Sequence, residues 1–317
     1  SLPNLMLLLG VIALVLVGAH VRGFVESDPQ TGAPTLKLDH LPEIRLGDFD
    51  LSQIQPPDLS GMTEKLPKWA YGVNANGLTV KTLRAGDGEA VFVCADGYTM
   101  LLGAGSGTGA ALCGQLLLCG ANHLSAAVAM SSEDEQLGAM KLALGMTKPD
   151  YLFVPPTQTK GKAYAQMIDA AEKQGTQIVS AAQNMTFTLG RARVTFIGPA
   201  RTQHTDSRDD GLTLRIDYGQ TSVVVTGCIT SNGEKEIVSS GAAAACDALI
   251  VSRGGTEAAT CAEWVEAAKP KVALITGKNP ANSVRIRLQK YGATVYAAKE
   301  NGVMTLFSDG QEITVEP

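Results

Sequence analysis

Hydrophobic and polar positions follow one another along residues 76–317 in short runs that predict an α/β protein. In the first half, period-two runs predict strands, and apolar positions three and four apart predict helices. The Asp96-Gly97 pair between two strand patterns predicts a hairpin turn. The predicted elements are strands at 78–83, 90–94, 99–102, 125–130 and 151–154 and helices at 109–119 and 133–144.

The second half continues in the same style and ends in a further hairpin. Its predicted strands lie at 192–198, 212–219, 221–227, 248–252, 271–276 and 294–298, its helices at 233–243, 261–268 and 283–292, and its closing hairpin at 303–316. Hairpins and helices in both halves predict two sheets packed face to face, with the helices outside.

The N-terminal part has a different pattern. Residues 5–21 (LMLLLGVIALVLVGAHV) carry no formal charge apart from a protonatable His20, and these 17 residues reach about 25 Å as a helix. Their length favours an uncleaved membrane anchor, with a signal peptide as the alternative. Residues 22–75 are rich in proline and predict an extended linker. We therefore expect an anchor at 1–21, a linker at 22–75 and a globular domain at 76–317, outside the cytoplasm of a single-pass membrane protein.

Composition and charge narrow the range of partners. The 317 residues are 45% hydrophobic, and all of the formal net charge of −5 lies after the anchor, which argues against nonspecific binding of nucleic acid. We expect the membrane as one partner and a protein or small ligand as another. The six cysteines have no C-x-x-C spacing, so we expect buried core thiols instead of a zinc cluster.

A dense acidic group lies at 131–136 (SSEDEQ), between a predicted strand and a predicted helix. Ser132 and Glu135 have the spacing of a helix capping box, with Ser131 as the alternative cap, and the helix dipole favours acids in the first turn. This is the favoured interpretation. The alternative is a Mg²⁺ or Ca²⁺ site built from nearby carboxylates, namely Glu133, Asp134 and Glu135 with Asp87 or Glu89.

Two other patterns have a structural and a functional interpretation. Gly105, Gly107 and Ala110 form a G-x-G-x-x-A pattern between a strand and a helix, which favours a tight turn and leaves phosphate or nucleotide binding as the alternative. Cys228 ends a strongly apolar run and is interpreted as a buried, inert thiol. Its alternative role is a nucleophile, for which it needs a nearby base.

The order of these motifs resembles a known family. The stretch TLRAGDGEAVFVCADGYTMLLGAGSG is similar to the opening of the metallo-β-lactamase-like domain of ComEC-type DNA-uptake (competence) proteins. The likeness covers 78–315, including AAVAMSSEDEQLGAM, GLTLRIDYGQTSVVVTGC, CDALIVSRGGT and the closing segment from KPKVALITGKNP onward. The resemblance implies a four-layer αββα sandwich in which two zinc ions or similar dications, bound at the sheet edges, hydrolyse phosphoesters or similar bonds.

The metal-binding positions implied by the resemblance carry other residues here. They fall on Ser131, Glu133, Glu135, Gln136, Cys228, Arg253 and Asn279, with Gly103 at a further ligand position. None is histidine, and an arginine opposes a bound dication by charge repulsion. We therefore expect no metal cofactor and no catalytic residue. For Arg253, an ion pair with Glu133 or Glu135 is favoured, and anion binding is the alternative.

The sequence thus predicts a membrane-anchored, metal-free pseudoenzyme that acts as a binding or scaffold module. Its remnant pocket is expected to contain Gly105, Gly107, Glu133 and Arg253. The alternative is a hydrolase with a phosphodiester or nucleotide substrate, which uses an altered metal site or a Cys228 nucleophile.

Overall fold

The structure is a computed structural model that describes residues 25–27, 34–36, 76–86, 88–107, 109–157 and 161–316. The predicted anchor, most of the predicted linker and Asp87 lie outside these residues. In the part that the structure describes, no helix combines the length and apolar character needed to cross a membrane. Val25–Ser27 (β1) and Pro34–Leu36 (β2) form a small antiparallel pair.

The first large sheet has eight strands in the order β17-β16-β3-β4-β5-β6-β7-β8. Its strands are β3 (Leu78–Ala85), β4 (Gly88–Ala95), β5 (Tyr98–Leu102), β6 (Ala126–Val128), β7 (Tyr151–Val154), β8 (Gln177–Ser180), β16 (Thr305–Ser308) and β17 (Ile313–Glu316). Asp96 and Gly97 both have positive φ, 51° and 87°, as a two-residue hairpin turn of type I′ requires. The predicted turn is confirmed, and the closing hairpin joins this sheet beside β3.

The second large sheet has seven strands in the order β15-β14-β13-β12-β11-β10-β9. Its strands are β9 (Thr186–Leu189), β10 (Ala192–Gly198), β11 (Thr213–Tyr218), β12 (Thr221–Val225), β13 (Ala248–Ile250), β14 (Val272–Ile275) and β15 (Thr294–Ala297). Pairing is antiparallel from β9 to β12 and parallel from β12 to β15. The carboxyl ends of the parallel strands therefore meet at one edge of the sheet.

Helices cover the outer face of each sheet. They are α1 (Ala110–Leu118), α2 (Asp134–Leu137), α3 (Met140–Thr147), α4 (Lys162–Lys173), α5 (Ser231–Ser239), α6 (Ala262–Ala268), α7 (Asn282–Lys290) and the short α8 (Ala298–Asn301). Two 3₁₀ turns lie at Ser207–Asp210 and Ser252–Gly255. Leu116 and Met167 pack on the eight-stranded sheet, and Trp264 and Leu288 pack on the seven-stranded one.

The main core lies between the two sheets. Val93 and Met100 of the first sheet pack with Phe196, Leu214 and Val225 of the second, all almost fully buried. Burying an aliphatic or aromatic side chain of this size contributes about 1.5–3 kcal/mol. The alternating apolar positions of the hairpin strands thus fill the centre of the sandwich, and the other faces of the same strands pack against helices. The predicted α/β sandwich of two sheets is confirmed.

The prediction of one continuous helix at 133–144 is wrong. The chain forms two helices, α2 and α3, separated at Gly138 and Ala139. At Gly138 the backbone passes close to another loop, and a Cβ there would lie 3.1 Å from the Ser106 backbone. The capping box is also wrong. Glu133 occupies the N-cap of α2, and within the described residues no side chain caps this helix. Instead, the Ser131 hydroxyl accepts the Glu133 N–H at 3.1 Å.

Within residues 76–316, the helices and strands without a counterpart in the sequence prediction are α4, β8, β9 and the short α8. The strands are short and lie at the ends of their sheets, where several side chains remain exposed and weaken the period-two pattern. Helix α4 buries Tyr164, Met167, Ala170 and Ala171 on one face and is clearly amphipathic, so its sequence pattern does indicate a helix and the prediction missed it. All six cysteines are buried and free, as predicted.

Candidate functional site

A cleft of about 360 Å³ lies at one edge of the sandwich, where loops from both sheets meet. The β3–β4 turn and the loop after β6 contribute one side, and the loops after β12, β13 and β14 contribute the other. Its side chains are mostly polar or charged: Glu89, Ser131, Glu133, Glu135, Gln136, Arg208, Cys228, Arg253, Thr256, Thr276, Lys278 and Asn279.

The cleft brings together residues that are far apart in the sequence. Seven positions singled out from the sequence line it together: Ser131, Glu133, Glu135, Gln136, Cys228, Arg253 and Asn279. Among the described residues that line it, neither Gly105 nor Gly107 is found. Gly105 has a φ of +63°, and a Cβ there would lie 2.1 Å from the Ala85 carbonyl oxygen. This glycine therefore serves the tight turn behind the β3–β4 hairpin, which corrects its assignment to the pocket.

Close backbone contacts hold the Arg253 loop in place. Arg253 has φ 49° and ψ 33°, a left-handed conformation that few side-chain-bearing residues adopt. Its backbone N–H donates to the Gly227 carbonyl at 2.8 Å. On the other side, Gly254 touches Gly277 so closely that a Cβ on Gly277 would lie 2.2 Å from the Gly254 oxygen. The loops after β12, β13 and β14 are thus joined, and the Arg253 side chain lines the cleft.

The Arg253 side chain does not form the predicted ion pair. With the described residues it forms no ion pair, although the Asp206 carboxylate lies within its electrostatic reach, and its Nη1 atom is buried without a hydrogen-bond acceptor. The carboxylate of Glu133 accepts a hydrogen bond from the Ser207 hydroxyl, and Arg208, which also lines the cleft, pairs with Asp206. The prediction of a pair with Glu133 or Glu135 is therefore wrong, because these acids and Arg253 lie at separate positions around the cleft.

Glu89 is the most unusual acid of the site. The residue is only 8% exposed, and the Thr276 hydroxyl donates a long hydrogen bond of 3.5 Å to its Oε1 atom. Its Oε2 atom is buried and has no partner among the described residues. Burial raises the pKa of Glu89 to about 8, against the opposing effect of the Thr276 hydrogen bond. The side chain is therefore mostly a neutral carboxylic acid at pH 7.

The Cys228 thiol lies at the buried end of the cleft and is 7% exposed. Burial raises its pKa to about 12, and the nearby Glu89 adds to this effect while Arg253 opposes it. A thiol with such a pKa is a poor nucleophile at neutral pH. The two histidines of the described domain are engaged elsewhere, His204 with Asp210 and Glu236, and His123 with Asp150. Cys228 therefore lacks an adjacent histidine base.

The acidic residues at 131–136 have different roles. The Asp134 carboxylate turns to another helix and accepts the backbone N–H groups of Lys162 and Ala163, each at 2.9 Å, and of Tyr164 at 3.3 Å. It thereby caps the N-terminus of α4, which follows Gly161. Glu133 and Glu135 remain at the cleft. The predicted serine cap does not form. Asp134 instead caps α4, a helix that is distant in the sequence.

The residues of the cleft do not fit a pair of zinc ions. Zinc prefers imidazole nitrogens, thiolates and carboxylates, and within the described residues no three such side chains are grouped so that they could hold a metal ion. The cleft presents hydroxyl, amide and thiol groups beside the carboxylates of Glu133 and Glu135, and the Arg253 guanidinium repels a cation.

Comparison with known proteins identifies the fold of this chain. No family model matches the chain. The metallo-β-lactamase fold protein YhfI from Bacillus subtilis is 16% identical, with a TM-score of 0.50 over 71% of this chain and 98% of YhfI. The chain has the metallo-β-lactamase fold. At this identity the likeness establishes the fold alone. Igni18, a metallo hydrolase from Ignicoccus hospitalis, gives a TM-score of 0.46 at 16% identity and covers 75% of this chain and 99% of Igni18.

A curated relative also shares sequence with the chain. ComE operon protein 3 from Bacillus subtilis is 22% identical over 191 residues, which cover 58% of this chain and 25% of the relative. The chain thus spans about a quarter of the length of this relative.

Proposed function

We propose that this metallo-β-lactamase-fold chain is a metal-independent binding module and not a metallohydrolase. The observation that carries the proposal is the Arg253 side chain, whose Nη1 atom is buried and unpartnered in the cleft. Two unit charges 4 Å apart interact by about 4 kcal/mol at an effective dielectric of 20, so a doubly charged ion beside a guanidinium is opposed strongly.

The proposal is tested by the metal content of the full chain. Elemental analysis after purification without chelator should find far less than one equivalent of zinc, manganese or iron. Added EDTA should leave the melting temperature unchanged, since no bound ion contributes to stability. A chain with Cys228→Ser and Glu133→Gln serves as the control for adventitious zinc. Stoichiometric metal in the natural sequence, removed by EDTA together with a fall in melting temperature, would overturn the proposal.

The competing function is a hydrolase that acts on phosphodiesters or nucleotides. The model substrate bis(4-nitrophenyl) phosphate separates the two functions, because hydrolysis releases a coloured product. The binding module should release none above the buffer rate. Hydrolysis that persists through purification and is abolished by Cys228→Ala would support the nucleophile, and hydrolysis abolished by EDTA would support an altered metal site.

We also propose that the module is tethered to a membrane and lies outside the cytoplasm, where it binds a protein or small ligand. The uncharged run at 5–21 supports the tether. The similarity to ComE operon protein 3 supports a role linked to competence and DNA uptake. Fractionation of cells that express the full chain or residues 22–317 tests the tether: the full chain should sediment with membranes, and the shortened chain should not.

A further inference from the structure

The cleft contains two buried polar atoms that lack partners among the described residues. One is Nη1 of Arg253, and the other is Oε2 of Glu89. Both residues line the cleft. A guanidinium nitrogen can only donate, and a neutral carboxylic acid has one O–H group to donate. The cleft therefore offers two donors without acceptors, an unfavourable arrangement that bound acceptor oxygens relieve.

Cys228 lies near both of these donors. Its thiol lies within electrostatic reach of both Glu89, at the start of β4, and Arg253, in the loop after β13. Polar side chains without a formal charge complete the lining at Gln136, Thr276 and Asn279. The volume of about 360 Å³ lies within the usual range of small-molecule sites. A ligand bound next to Cys228 can thus accept hydrogen bonds from Arg253 on one side and from Glu89 on the other.

We propose that the cleft binds an oxyanion with a single negative charge, a carboxylate or a phosphodiester group of a small molecule, through Arg253 and Glu89. The inference rests on the proposed metal-independent binding function. Arg253 supplies the positive charge and a donor, and Glu89 supplies a neutral donor. A single charge is favoured because Glu133 and Glu135 line the same cleft and oppose a second one. Of the other cations that line the cleft, Arg208 is already paired with Asp206 and Lys278 has an interaction of its own, so neither leaves a second free positive charge for a dianion.

The first test is calorimetric titration of the full chain at pH 7 with acetate, dimethyl phosphate and sulfate. Acetate or dimethyl phosphate should bind saturably, and the one that binds identifies the oxyanion type. Sulfate, a dianion, should bind at least tenfold more weakly. Arg253→Asn should weaken binding at least tenfold, and asparagine tolerates the left-handed backbone at φ 49°. Arg193→Gln, a charge-matched control at an exposed position of β10, should change affinity less than twofold.

The second test uses pH. Glu89 ionises as the pH rises through about 8 and then repels an anion, so binding should weaken between pH 7 and pH 9. The other charged or titratable groups that line the cleft are Glu133, Glu135, Arg208, Cys228, Arg253 and Lys278. Cys228 stays a thiol in this range because its pKa is about 12. Glu89→Gln keeps a neutral donor at every pH, so this variant should bind without the decline.

The possible results distinguish failure of the proposed oxyanion site from failure of the proposed metal-independent function. Saturable binding that Arg253→Asn weakens supports the site. A metal-free chain that binds none of the three ions, or that binds equally well with Arg253→Asn, overturns the oxyanion site and leaves the metal-independent module standing. Stoichiometric metal in the same sample overturns the module itself. Circular dichroism of each variant shows whether a lost signal reflects unfolding.

Discussion

Asp96 and Arg191 join the two sheets, because the Arg191 guanidinium donates to both carboxylate oxygens of Asp96, at 2.9 and 2.7 Å. Asp96 lies in the β4–β5 turn and Arg191 in the β9–β10 turn. The Asp96 carboxylate also accepts the Tyr218 hydroxyl at 2.7 Å. These hydrogen bonds, that of Arg191 above all, hold the pKa of Asp96 well below its usual range.

We predict that Asp96→Asn lowers the free energy of unfolding at pH 7 by about 1–3 kcal/mol, the range for hydrogen bonds to charged groups. Because the folded pKa of Asp96 is depressed, its contribution is present above about pH 3.9, the unfolded value, and is lost as the pH falls further. Urea denaturation at pH 7 and pH 3 measures both effects. Asp169→Asn removes an exposed pair with Lys173 and should cost less than about 1 kcal/mol.

Asp134 should stabilise α4, a helix that begins 28 residues later in the sequence. Asp134→Ala should reduce stability by about 0.5–2 kcal/mol, the usual value of an N-cap, because three N–H groups of α4 lose their acceptor. Chemical denaturation measures the loss, and hydrogen exchange should locate it in α4. Glu135→Ala, in the same turn and likewise exposed but without hydrogen bonds to α4, should stay within about 0.5 kcal/mol. Equal losses in the two variants would contradict the cap.

His204 should make stability depend on pH in the neutral range. Its ring is 4% exposed, and its two nitrogens face Asp210 and Glu236, each at 2.7 Å. Burial opposes the charged form, but the hydrogen bonds to both carboxylates outweigh burial and raise the pKa of His204. Since the folded pKa is raised, the stabilisation is complete below about pH 6.5, the unfolded value, and is lost as the pH rises through the folded pKa.

The measurement compares His204→Gln with the natural sequence by urea denaturation at pH 6 and pH 9. The variant should be less stable by about 1–3 kcal/mol at pH 6, and the difference should shrink at pH 9. His123→Gln is the control, since His123 pairs with Asp150 through an exposed contact. A difference that is the same at both pH values would mean that His204 is not charged in the folded protein.

Glu234 of α5 should fix the start of α6. Its two carboxylate oxygens accept the backbone N–H groups of Thr260 at 2.7 Å and Cys261 at 2.8 Å, and the residue is fully buried. Glu234→Gln replaces one acceptor with an NH₂ group and leaves a buried N–H unpaired, which should cost about 1–3 kcal/mol. Thermal and urea unfolding measure the loss. The exposed Glu266→Gln is the matched control and should have little effect; an equally stable Glu234→Gln chain would contradict the assigned role.

The sequence by itself determined most strands and the two-sheet architecture. Apolar patterning is a local property, so the alternating run of β3 and the continuous β-branched and apolar runs of β4 and β12 indicate strands wherever they occur. The Asp96-Gly97 turn is also local, because its backbone conformation depends on two adjacent residues. Resemblance to a family brought Ser131, Cys228 and Arg253 to attention, and all three line the cleft.

Only the tertiary structure decided which partners these side chains have. Asp134 could cap its own helix or another, and it caps α4 because folding places Gly161 beside it. Arg253 could pair with Glu133, yet it has no ion pair with the described residues, because the Gly254–Gly277 contact fixes its loop. The burial that raises the pKa of Glu89 comes from loops of both sheets. Hydrogen bonds and desolvation depend on distances of a few ångströms between segments far apart in the chain, and a linear pattern does not encode those distances.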